Sequence, residues 1–212
     1  VEENMTNVLI VDSAATGDAS VSRRLTRELE SILRRRGPVR IVHRDVGARP
    51  VPHLTAATTP AIRGAEAETD EARDALALSD ELIAELKAAD IVVIGAPMYN
   101  FGMPSTLKAW FDHVLRAGIT FRYSEAGPEG LLKGKKAIVV ESRAGLYSTG
   151  PSAVMDSQEP HLRTLLGFMG LDDMSFVRAE KLAFGPDSAA ASIAEAVEQL
   201  RSLAAEELPL AA

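Results

Sequence analysis

The 212-residue chain contains no cysteine, which excludes disulfides, thiol catalysis and thiolate metal sites and agrees with a reducing compartment. No apolar run approaches the roughly 20 residues that span a bilayer. No basic region followed by an apolar stretch precedes the first strand pattern, so no secretory signal is visible. Positive charge is in short supply too: the net charge is −7, which argues against nucleic acid or an anionic membrane as a partner through a basic surface. The main basic cluster, Arg34-Arg35-Arg36, closes a predicted helix, where cations favour the helix dipole. GxGxxG and GxxxxGK[ST] are absent, as are HExxH and GxSxG. His43, His53, His113 and His161 are scattered without ligand spacing, so no metal site is expected. What these absences leave is a cytoplasmic enzyme or carrier.

What is present is an ordinary globular composition, 46% hydrophobic and 25% charged, of a size that fits one domain. That domain is expected over residues 5–212. Val1 to Asn4 read as an appended remnant, because the first strand pattern begins only after Met5. Asn7–Ser13, Val39–Val46, Ile91–Ala96, Lys136–Ser142 and Met174–Glu180 read as strands, the third uniformly apolar. Helices are predicted over Ser20–Arg36, Glu71–Ala88, a segment opening at Pro104, Pro160–Met169 and Ser188–Ala204. In the third of these, Leu107, Trp110, Phe111, Val114 and Leu115 form one apolar face. Alternating strands and helices imply an α/β fold with a parallel sheet covered on both faces. Five strands fit the flavodoxin-like order 2-1-3-4-5, a three-layer sandwich with its ligand site at the carboxyl ends of the strands. Gly47–Thr69 is a long connection, expected to pack over a site or a partner subunit, with a disordered surface excursion as the alternative.

Three segments should converge at that carboxyl edge. Asp12–Ser22 joins the first strand to the first helix, and Ser20 and Ser22 flank a helix start, where free amides and the dipole attract an anion. With no triphosphate-binding lysine, a monophosphate fits best; Ser20 acting only as an N-cap is the alternative. Met98-Tyr99-Asn100-Phe101 follows the third strand and offers amides beside side chains that suit a flat aromatic ligand. Ser142-Arg143-Ala144-Gly145 follows the fourth strand, with Gly145 permitting close backbone approach. Together they suggest one phosphate-bearing planar cofactor.

The stretches "APMYNFGMPSTLKAWFDHVLRAGITFRY", "GPEGLLKGKKAIVVESRAG" and "LRTLLGFMGL" resemble the FMN-dependent NADH-azoreductases of bacteria, in the same order and with similar spacing. The resemblance implies a flavodoxin-like homodimer with one FMN per subunit at the interface. It also implies ping-pong transfer of hydride from NADH or NADPH to a quinone or azo compound. Ser20, Val21 and Ser22 match the family's phosphate loop, Met98, Tyr99, Asn100 and Phe101 its flavin-edge segment, and Ser142, Arg143, Ala144 and Gly145 its Ser-Arg-Gly-Gly segment. Two positions depart: Ala14 replaces a frequent serine, and Ala144 replaces a glycine, which predicts an ordinary φ at Ala144.

The flavin would carry the reaction, so no catalytic side chain is expected. Phe121 and Phe168 are candidate walls for an aromatic substrate, with core or dimer packing as the alternative. Arg63 is a candidate for attracting the acceptor or the nicotinamide phosphates, with plain solvent exposure as the alternative. The competing function is a flavodoxin-type FMN electron carrier without direct NAD(P)H turnover.

Overall fold

The apolar runs form the sheet in the computed structural model, which describes residues 5–206 and 208. The expectation for Val1 to Asn4, and residues 207 and 209–212 of the expected domain, lie outside them. Strands β1 (Thr6–Asp12), β2 (Val39–Asp45), β3 (Ile91–Pro97), β6 (Lys136–Ser142) and β7 (Asp173–Ala179) pair in the order β2-β1-β3-β6-β7. All four pairings are parallel, as the alternating pattern requires. β3 and β6 are buried along their whole length, which is why they carry no alternation of polar and apolar residues.

Side-chain parity divides the core. Val8 and Ile10 of β1 pack with Leu25, Leu29 and Leu33 of α1 (Val21–Arg36) and Leu200 of α6 (Pro186–Glu206). Leu9 and Val11 face the opposite layer, with Leu82 and Leu86 of α3 (Asp70–Ala88), Trp110 of α4 (Ser105–Val114) and Leu166 of α5 (Glu159–Met169). Among the described residues no helix is long and apolar enough to cross a membrane.

The long connection is ordered against its own chain. Val51 and Ile62 are buried, and Thr59–Ile62 forms the one-turn helix α2. Pro52 O lies 3.0 Å from His113 Nε2, which explains the buried histidine of α4 as a structural residue. Burial holds that imidazole below its ordinary pKa. At the start of the connection, a Cβ on Gly47 would fall 2.2 Å from Ala14 O.

Two strands have no counterpart among those expected. Phe121–Ser124 (β4) and Gly127–Gly130 (β5) form an antiparallel hairpin whose Gly130 backbone lies against Gly170, at the end of α5.

Candidate cofactor site

The carboxyl ends of β1, β3 and β6 are in register, with Asp12 opposite Gly95 and Pro97 opposite Ser142. The three turns that follow therefore meet at one edge. Ser20 is the N-cap of α1: its hydroxyl lies 2.9 Å from that of Ser22 and accepts from the Arg23 amide at 3.4 Å. Both serines are buried. Within the described chain the amides of Val21 and Ser22 have no acceptor, so the helix start keeps two donors at its positive end. Arg23 is not a free cation beside them, since its Nη1 pairs with Asp45 at 2.5 Å. Asp12, beneath the loop, is raised above its usual carboxylate range by burial, although the Thr26 hydroxyl donates to it at 2.9 Å.

The second turn is a two-residue hairpin. Tyr99 and Gly102 exchange backbone hydrogen bonds of 2.9 and 3.1 Å, and the two residues between them have positive φ, Asn100 at 48° and Phe101 at 70°. Consecutive positive φ angles are those of a primed turn, which normally takes Asn and Gly. Asn100 suits its position, but a phenylalanine in the left-handed region costs about 1–2 kcal/mol. Strain of this kind persists where surrounding structure holds it, commonly at ligand sites. Neither the Asn100 nor the Phe101 amide has a partner in the described chain. The Tyr99 hydroxyl accepts from the Ala15 amide at 3.1 Å and so ties this turn to the first loop.

The third turn is laced to the loop after β7. Leu182 N donates to Arg143 O, Ala183 N to Ala144 O and Lys181 N to Gly145 O, while the amides of Ala144 and Gly145 have no partner among the described residues. Ala144 is not among the residues with positive φ, so the alanine sits there unstrained as expected. Gly145 serves a close approach, but to its own chain: a Cβ there would come 2.9 Å from the Tyr147 ring. That ring meets Phe101 edge-on at 5.9 Å.

The Arg143 side chain turns inward from this edge. The resemblance assigns it to the cofactor, yet its side chain is fully buried behind the turn, and its backbone N donates to Ala179 O. The guanidinium pairs with Glu141 at 2.7 Å, Asp156 at 3.0 Å and Glu180 at 3.3 Å, with Glu159 at 3.7 Å. Strand parity explains the direction: Arg143 continues the face of Ala137, Val139 and Glu141, which looks toward α5. Burial pushes the Glu141 carboxyl up to about 8, with Glu159 adding repulsion against the pull of Arg143. Glu180 goes the other way: burial opposes ionisation, but the Ser148 hydroxyl and the Tyr147 and Ser148 amides hold it below its ordinary range.

The outer candidates lie apart from these turns. Phe121 and Phe168 pack on each other, centroids 4.6 Å apart. Phe168 is in the last turn of α5 and Phe121 pairs with Gly130, beside Gly170. Both therefore sit toward the amino ends of the strands, away from the cofactor edge of their own chain. Arg63 caps α2, exposed, with no side-chain hydrogen bond to any of the three turns. The segment that sequence reasoning missed is Asp156–Gln158. Asp156 accepts from the Gln158 and Glu159 amides at 2.9 and 3.1 Å, Ser157 N donates to Phe101 O at 3.0 Å, and Gln158 Nε2 donates to Ala96 O at 3.0 Å. The Asp-x-x-Glu spacing of Asp156 and Glu159 ahead of an apolar run was the available sign of a helix start there.

A parallel sheet whose carboxyl edge gathers a helix start, hydroxyls and two turns with free amides defines a flavodoxin-type cofactor-binding protein. A family model described as "Flavodoxin-like fold" matches residues 6–204. An "FMN-dependent NADH:quinone oxidoreductase" of Hyphomonas neptunium is 55% identical over 201 residues, covering 94% of this chain and 96% of its own. The protein of the same name from Ralstonia nicotianae is 49% identical, covering 88% and 91%. Among solved structures, an FMN-dependent NADH-azoreductase of Bacillus anthracis in complex with FMN superposes with TM-score 0.86 at 25% identity, covering 95% of this chain and 98% of that one. The chain belongs to the FMN-dependent NADH:quinone oxidoreductase and azoreductase family.

Proposed function

We propose that this chain is an FMN-dependent NAD(P)H oxidoreductase that reduces quinones and azo compounds in a ping-pong cycle. The observation that carries the reading is the strained Asn100–Phe101 pair, which holds two unpartnered amides beside large side chains at the edge where three turns meet. When bound, FMN would supply the redox chemistry, the transfer of hydride from NAD(P)H and of two electrons to the acceptor. The residues fit that group. Ser20, Val21 and Ser22 offer hydroxyls and amides to the phosphate without placing a free cation there. Met98 to Phe101 would hold one edge of the ring, and the Ala144 and Gly145 amides would donate at a second, where fixed donors stabilise charge. Ala14 supplies no hydroxyl, so the phosphate depends on the remaining donors.

The protein acts as a homodimer with sites at its interface. The Phe121–Phe168 pair supports this, because an aromatic wall placed away from its own chain's turns reaches a cofactor only across a subunit boundary. Tyr123 beside it is 73% exposed. Arg63 is the cation offered to the nicotinamide phosphates or an anionic acceptor. The setting is cytoplasmic, and nucleic acid is no partner of so acidic a chain.

The test is spectroscopic and kinetic. Purified protein titrated with FMN turns yellow with a saturable site, NADH bleaches it without oxygen, and benzoquinone sustains NADH oxidation. Failure to bind FMN, or binding without NADH turnover, removes the enzyme reading; the latter result is that of an electron carrier. Sedimentation of the loaded protein reads the dimer.

A further inference from the structure

The buried arginine behind the third turn is connected to the strained second turn. Arg143 Nη1 holds Asp156 Oδ2 at 3.0 Å. The other oxygen of Asp156 accepts the two amides that open α5. Between these anchors Ser157 has one free backbone donor, and it reaches Phe101 O at 3.0 Å. One residue later, Gln158 Nε2 fixes Ala96 O at 3.0 Å, on the strand that leads into the same turn. Asp156–Gln158 is thus a three-point clamp: one point is Arg143, and two lie on the segment carrying Asn100 and Phe101.

We propose that Arg143, acting through Asp156 and Ser157, is a positioning residue that keeps the Asn100–Phe101 peptide in the left-handed conformation and so aims its amides at the ring of the bound cofactor. This rests on the FMN reading given above. A phenylalanine does not hold φ of 70° unaided, and the conformational cost is of the same size as one hydrogen bond. Loss of the Ser157 contact therefore decides whether the turn stays aimed or the peptide rotates. Burial makes the anchor stiff: Arg143 is fully enclosed and Asp156 is bonded through both oxygens. The arginine in the turn following β6 acts from behind the cofactor rather than touching it.

The test uses Asp156→Asn in the full-length protein, which removes the charge that Arg143 grips while keeping a side-chain oxygen for the α5 amides. Dissociation constants are measured for FMN and for riboflavin, which lacks the phosphate, alongside apoprotein thermal unfolding. Asp156→Asn should weaken both ligands by about the same factor, roughly tenfold if one hydrogen bond's worth of aim is lost. Phe101→Gly adopts the left-handed turn without help, so in that background the same substitution should change affinity less than twofold. Equal losses in both backgrounds, or a lower melting temperature with unchanged ligand affinity, would overturn the proposal and leave Asp156 a purely structural residue. If the unmodified protein binds riboflavin and FMN not at all, the FMN reading itself fails, and this inference with it. Arg143→Lys provides the second arm: it retains the buried charge and should show an intermediate loss of both ligands, and full affinity there would count against a guanidinium-specific role.

Discussion

Glu141 should make stability fall as pH rises through neutrality. Its side chain is fully buried on β6. In its cluster three guanidinium groups, Arg143, Arg163 and Arg178, face three further carboxylates, Asp156, Glu159 and Glu180. That set balances without Glu141, so a fourth negative charge would be buried in surplus. Burial accordingly raises the carboxyl from its ordinary 4.5 to about 8. Between those values the native protein keeps a proton that the unfolded chain has released. Native protonation exceeds unfolded protonation there, so the unfolding free energy declines with pH, with a slope of up to about 1.4 kcal/mol per unit from this group. Glu141→Gln removes the titration while preserving shape. Urea unfolding measured from pH 5 to 9 should give a falling curve for the unmodified protein and a flatter one for the variant, so that the variant gains relative stability toward alkaline pH. Parallel curves for the two proteins would refute the argument.

Three further outcomes follow from positions described above. Trp110→Ala empties the largest fully buried side chain of the α4 layer and should cost about 3–5 kcal/mol in chemical denaturation. Gly130→Ala places a methyl carbon 2.1 Å from Gly170 N, where neither backbone can yield. It should lower the unfolding free energy by about 1–3 kcal/mol and expose the hairpin to proteolysis. The paired change Ser20→Ala and Ser22→Ala should weaken FMN by about tenfold or more while leaving riboflavin binding within twofold; an equal loss for both ligands would detach these hydroxyls from the phosphate.

The sheet was legible because its strands are nearly continuous apolar runs, and the buried faces of the helices followed from helical spacing. The hairpin β4–β5 was not, since Arg122, Tyr123 and Ser124 are exposed and Gly127, Pro128 and Gly130 run against strand propensity. The position of the Met98–Phe101 turn was readable from the strand end, but not its shape, because left-handed phenylalanine contradicts local preference. Likewise the sequence located Arg143 beside the site, while its partners Asp156, Glu159 and Glu180 arrive from elements far along the chain. Glu141, an acid directly after the apolar run of residues 137–140, was the visible clue that this face holds buried charge.

The helix start at Ser20 presents dipoles and hydroxyls, with its nearest arginine already neutralised by Asp45. A dianionic phosphate approaching this helix start thus meets a neutralised pair at Arg23, and beyond it the repulsive far field of a chain carrying seven excess negative charges. Added electrolyte damps that far field without weakening the short contacts inside the loop. Association of FMN should therefore speed up as salt is raised, the reverse of what a lysine-lined phosphate pocket would show.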